Sequence, residues 1–208
     1  MGVADHGPRG AHPPAREAVR LARRAFMAGE RIDVQRIAAQ LRIDRTTLFR
    51  WVGNRDQLLV AVLTSLADPT LRDAAAAAPG CGPERIGRIL RDFSQALIDA
   101  PYYRSFLQRD TERALRLITT KASPLQQHVV GAVERLLAEE CSRGHMGTAM
   151  PLGDLAYLVV RIAESFIYAD LLTGDPPDAA KVELAVTALL HGAARVGDPR
   201  PAAASSTP

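Results

Sequence analysis

Cysteine is scarce, with only Cys81 and Cys141 in 208 residues. They form no CxxC and lie far apart, which excludes a disulfide framework and a cysteine-based metal cluster. The plain reading is two small thiols that pack as apolar groups. The five histidines (His6, His12, His128, His145 and His191) show no metal-ligand spacing, so neither a metal nor a cofactor is expected. Long apolar runs are missing too. Runs such as Leu155 to Val160 reach only six residues, far short of the ~20 that cross a bilayer. Met1 to Gly10 holds no apolar signal-peptide core, and His6 stands where a myristoylation motif wants Ser or Thr. The expectation is a cytoplasmic protein with no membrane partner. There is no convincing alternating strand pattern, no GxSxG, HExxH, P-loop or GxGxxG, and no Glu-x-x-His pair. A helical enzyme is therefore disfavoured and no catalytic residue is assigned. Lysine is nearly absent, 2 against 24 arginines, beside abundant alanine. That imbalance reads as compositional bias, so the arginine richness is not itself a functional signal.

The distribution of charge says more. Residues 1–68 carry 11 arginines against 7 acids, a net of +4, whereas the remaining 140 residues carry 15 cations and 16 acids, a net of −1. A basic head on a near-neutral body fits a polyanion-binding module, although exposed arginines on a helix are often merely solvated. Helical periodicity dominates, so the expected fold is all-α. The ends, 1–13 and 198–208, are rich in Gly, Pro, Ala and Ser and read as a disordered arm and tail. Pro79-Gly80-Cys81-Gly82-Pro83 marks a break, and the domain boundary is placed near 68–82. The expected division is a basic helical head over 14–68 and a helical body over 69–197.

Four helices are expected in the head. The first runs from about Pro14 to Ala28, with Ala15, Ala18, Ala22, Ala25 and Phe26 at three- and four-residue steps and Gly29 as its stop. Asp33, Asp44 and Asn54 can each N-cap one of three further helices. Ile32 with Ile37, and Ile43 with Leu48, are spaced as hydrophobic staples, and Gln57 completes a capping box with Asn54. The fourth helix continues through Leu58, Leu59, Val62, Leu63 and Leu66. The body reads as helices over about 83–99, 102–120, 124–143, 152–172 and 178–195, punctuated by prolines.

The segment IAAQLRIDRTTLFRW, Ile37 to Trp51, has helix-turn-helix spacing. Ile37, Leu41, Ile43, Leu48 and Trp51 are apolar where the inner faces of two short helices meet, and Ala38 is small where they approach. Arg45, Thr46, Thr47 and Arg50 then fall on or near the outer face of the second helix. Such a helix fits the major groove, about 12 Å wide, where Arg can fork onto a guanine edge and Thr can touch a thymine methyl. A helical hairpin with a solvated polar face is the competing reading, and a protein-binding adaptor the competing function. The preceding amphipathic helix, the capped fourth helix and the local basicity favour DNA.

These residues resemble the TetR family of ligand-controlled transcriptional repressors, whose members show IA..AGVS..TLY.YF..K..LL. Thr47-Leu48-Phe49 matches Thr-Leu-Tyr, Arg55 the basic residue opening the fourth helix, and Leu58-Leu59 the closing pair. The resemblance implies a homodimer on a double-stranded, palindromic operator, released by a small-molecule effector. It also implies that Arg55 and the backbone beside it hold a phosphate. Two residues depart from the pattern. Phe49 replaces Tyr and so lacks a hydroxyl for phosphate, and Arg42 replaces the turn glycine, which costs ~1 kcal/mol if that residue is left-handed.

The body resembles the lactone-responsive quorum-sensing-degradation regulators through Pro101-Tyr102-Tyr103, Phe106 to Asp110, Glu112 to Arg116 and Arg161 to Asp170. An acyl or lactone-like effector follows from that resemblance. Candidate ligand contacts are Phe93, Leu97, Tyr102, Tyr103, Phe106, Arg161, Glu164, Ser165 and Tyr168. Arg161 and Glu164, three apart in an apolar helix, form either a structural or interface pair or a ligand-orienting one. The aromatics either pack the core or line a pocket. The helices near 152–172 and 178–195 have large apolar faces, which serve the protomer's own core or, as the family implies, a dimer interface.

Overall fold

α-Helix is the only regular structure among residues 13–195, the part of the chain that this computed structural model describes. The expected ends, 1–13 and 198–208, lie outside it except for Pro13. The elements are α1 Pro13–Met27, α2 Val34–Gln40, α3 Arg45–Val52, α4 Arg55–Ala77, α5 Gly82–Ile98 and α6 Pro101–Arg109. They continue with α7 Thr111–Thr119, α8 Pro124–Ser142, α9 Leu152–Ile167, α10 Ala169–Leu172 and α11 Ala179–Arg195. The all-α expectation holds, and three helices differ from their expected extents.

The span expected as one helix over 102–120 breaks at Asp110. Its φ is −154°, and its carboxylate accepts the Arg113 amide at 3.4 Å, so one Asp ends α6 and caps α7. The span over 152–172 breaks at Tyr168. The Asp178 amide bonds the Phe166 carbonyl at 3.3 Å, which a continuing helix uses for residue 170. Finally, α4 runs past Leu66 to Ala77 with Pro69 inside it, because the alanines from Ala74 onward are strong helix formers.

The chain forms two compact units. The first comprises the described residues up to Pro69 and Ala100–Gln126. In it α1 packs on α2, α3 and α6 around the buried Ala18, Ala22, Phe26, Leu48, Leu58 and Val62. Burial of the larger of these side chains, Phe26, Leu48, Leu58 and Val62, contributes about 1.5–3 kcal/mol each and holds the short helices that could not persist alone.

The second unit comprises Thr70–Asp99 and the described residues from Gln127 onward. α5, α9 and α11 pack together there over Ile86, Ile89, Leu155, Val159, Val182, Val186 and Leu190. Gly87 lets α5 and α11 approach closely, since a Cβ there would lie 2.2 Å from Thr187 Oγ1. The fully buried Glu140 on α8 fastens the start of α5. It accepts the Gly82 amide at 2.6 Å and Arg85 Nη1 at 2.9 Å, with His145 Nδ1 at 3.0 Å. Burial pushes the Glu140 carboxyl up, but the Gly82, His145 and Arg85 contacts together prevail and hold it below the ordinary glutamate range.

Candidate nucleic-acid interface

The α2–turn–α3 segment is fixed at every joint by local chemistry. Asp33 accepts the Gln35 amide at 2.8 Å and the Arg36 amide at 3.2 Å, which satisfies two free donors at the start of α2. Ile32 and Ile37 are both buried, as the staple spacing requires. α2 ends in a Schellman turn, with the Arg42 amide on Ala39 O at 3.1 Å and the Ile43 amide on Ala38 O at 3.0 Å. Arg42 occupies its left-handed position, φ +55°, the one non-glycine with positive φ among the described residues.

Asp44 then caps α3. Its carboxylate accepts the Thr47 amide at 2.8 Å and the Thr47 hydroxyl at 2.7 Å. Those two bonds, the backbone one first, hold the Asp44 carboxyl below its ordinary range. Leu48 is fully buried and anchors the helix. α3 ends at Gly53, where a Cβ would fall 1.9 Å from Gln57 Oε1. That oxygen belongs to the capping box, in which it accepts the Asn54 amide at 2.8 Å while Asn54 Oδ1 accepts the Gln57 amide at 2.9 Å.

The six expected DNA contacts lie on this frame. Arg45, Thr46 and Arg50 on α3 are exposed, and Thr47 and Phe49 half-buried. Arg55, exposed, is the first residue of α4. The Arg45 guanidinium sits 4.9 Å from the centroid of the Phe49 ring, so the residue that lacks a phosphate-binding hydroxyl instead supports an arginine. The Thr47 hydroxyl spends its proton on Asp44 and keeps only acceptor capacity, with its methyl, for a base edge. Arg31, Ile32, Asp33, Val34 and Gln35 surround a shallow basin shared with Arg45 and Arg55. The α2 start therefore belongs to the same surface, which the helix-turn-helix pattern alone did not mark.

The expected ligand contacts are distributed over both units. In the first, Tyr102 and Phe106 of α6 meet Phe26 edge-on at 5.7 and 5.6 Å, and the buried Tyr103 stands 6.3 Å from Phe106. In the second, Phe93, Glu164 and Tyr168 are buried, Leu97 is half-buried, and Arg161 and Ser165 are exposed. Arg161 Nη1 donates to Glu164 at 2.6 Å, and Ser165 donates to the Ile162 carbonyl at 2.7 Å.

Sequence reasoning missed two long-range clasps in the first unit. Arg109 of α6 donates to the Gly29 carbonyl at 2.6 Å, and Arg113 of α7 pairs with Asp56 of α4. Their partners stand 80 and 57 residues away, beyond any periodic signal.

A family model described as the tetracyclin repressor-like C-terminal domain matches residues 81–191. Solved structures agree. The transcriptional repressor QsdR of R. erythropolis, from the TetR family, is similar at 26% identity over 86% of this chain and 94% of that one, with a TM-score of 0.80. AlkX of Dietzia sp. strain DQ12-45-1b, a TetR-family repressor implicated in n-alkane biodegradation, is 22% identical over 89% of this chain and 100% of its own, TM-score 0.60. FadR of Bacillus subtilis, solved with stearoyl-CoA, is 12% identical over 85% and 98%, TM-score 0.54. No curated protein matches the sequence significantly. No described helix is long and apolar enough to cross a membrane.

Proposed function

This chain belongs to the TetR family of transcriptional regulators, and from that premise we propose that it is a cytoplasmic repressor. It acts as a homodimer that leaves a palindromic operator when a small apolar or lactone-like effector binds. One observation carries the DNA half of this reading: Arg45, Thr46 and Arg50 are exposed on a short helix whose two ends are locked by Asp44 and Gly53. A rigid helix with an uncommitted polar face is what major-groove reading requires. Arg55, at the start of α4, supplies a phosphate contact. An adaptor function gives no reason for such a face.

The effector half draws on the second unit. There the buried Phe93 and Tyr168 offer apolar surface, Glu164 a carboxylate, and Ser94 a fully buried hydroxyl without a hydrogen-bond partner among the described residues. Apolar surface with a few polar groups is the kind of lining that suits an acyl or lactone compound. The proposed division remains a head over 14–68 and an effector and dimer body over 69–197.

The test is a mobility shift on the gene's own upstream DNA, with and without acyl lactones. Wild type shifts the duplex and a lactone reverses the shift. Arg55→Ala weakens all duplexes alike, whereas Thr46→Ala or Thr47→Ala changes base preference by ~1–3 kcal/mol at particular positions. Retention of the same preference in both threonine variants refutes the reading face, and a shift that no lactone reverses refutes the effector class.

A further inference from the structure

An open crevice of about 120 Å³ lies wholly within the first compact unit, apart from the buried groups assigned above to the effector. Phe26, Tyr102 and Phe106 line it as an edge-on aromatic cluster, and Arg31 and Arg55 line it as well.

The charges there are unevenly committed. Arg109 bonds the Gly29 carbonyl and Arg113 pairs with Asp56, so both are spent on holding the unit together. Of the two acids lining the crevice, Glu30 pairs with Arg36 at 2.8 Å and Asp110 caps α7. Arg31 and Arg55 make no ion pair among the described residues, and both are exposed. Aromatic rings beside two uncommitted guanidinium groups in one crevice are complementary to a planar organic anion. Its ring packs against the aromatic side chains while its carboxylate accepts from the arginine forks.

We propose that this crevice binds a small aromatic carboxylate through Arg31 and Arg55, as a second ligand site at the root of the helix-turn-helix. The site stands on geometry alone. Its consequence for DNA rests on the function proposed above, because Arg55 cannot hold an operator phosphate and the ligand together. The ligand therefore lowers operator affinity by direct competition at the head.

The experiment omits DNA, so it separates this site from the DNA-binding reading. Titration calorimetry at low ionic strength compares 2-naphthoate with the neutral, near-isosteric 2-naphthamide on the full chain. The naphthoate binds saturably and the amide at least tenfold more weakly. Arg31→Gln combined with Arg55→Gln weakens naphthoate at least tenfold while circular dichroism stays unchanged. Both arginines are exposed, so the variant folds. Phe106→Leu, which keeps apolar volume but removes the ring, also weakens it. Equal binding of acid and amide overturns the proposal. So does full naphthoate binding by the double-arginine variant, which places the probe elsewhere, and so does an absence of saturable binding at millimolar concentration.

Discussion

At the scale of single residues, Arg42 is the most exposed to test. A left-handed L-residue costs roughly 1–2 kcal/mol, and glycine relieves that at an entropic cost of about 0.5–1 kcal/mol in the unfolded chain. Arg42→Gly is therefore expected to stabilise the protein by roughly 0.5–1 kcal/mol, a gain of about 1–4 °C in Tm. Arg42→Ala keeps the strain and gains nothing. Calorimetry on both variants checks this, and equal Tm values for the two refute the strain argument. Phe49 teaches a different lesson. From the sequence it is a loss, a missing hydroxyl. In the folded protein its ring lies under the Arg45 guanidinium and limits where that arginine reaches.

At the scale of elements, legibility follows sequence separation. Caps couple residues two or three apart, so Asp33, Asp44 and the Asn54–Gln57 box were readable, and with them the helix-turn-helix. The break at Asp110 was missed although it is also a capping event, because the apolar period runs on across it. Clasps such as Arg109 to Gly29 and Glu140 to Gly82, 80 and 58 residues apart, leave no local trace. The Glu140 cluster illustrates what such a clasp contributes. Removing the carboxylate strands the Gly82 amide and the largely buried Arg85. Glu140→Ala is thus expected to cost about 3–5 kcal/mol. Because the folded carboxyl is held below its ordinary value, its contribution is complete above the unfolded pKa of about 4.3 and is lost as pH falls through the lower folded value. Acid unfolding followed by circular dichroism should show that loss in wild type and a flatter profile in Glu140→Gln. Parallel profiles count against the assignment.

At the scale of the whole molecule, the question is how one short recognition helix can select a site. A single α3 offers few base contacts, so specificity needs two copies on half-sites about 34–36 Å apart. Two-fold pairing requires a surface that meets its own copy. The second unit carries one candidate: Tyr157 and Leu158 on α9 and Leu184 on α11 are exposed although apolar, and α9 packs against α11. Leu184 is 73% exposed, and with Tyr157 and Leu158 it adds apolar surface of the kind that an interface covers. Burying these side chains against the partner's equivalents covers that surface and fixes the spacing of the two heads. Leu184→Glu is expected to keep the helical signal, since the side chain leaves the protomer's own core intact, while shifting the species seen by sedimentation from dimer to monomer. Operator affinity then falls at least about a hundredfold, because the second half-site loses its effective concentration. The dependence of binding on salt flattens in the same variant, with half the phosphate contacts and so half the released counterions. A Leu184→Glu protein that stays dimeric locates the interface elsewhere. A monomer that binds the full operator as tightly as wild type removes the need for two-fold reading altogether.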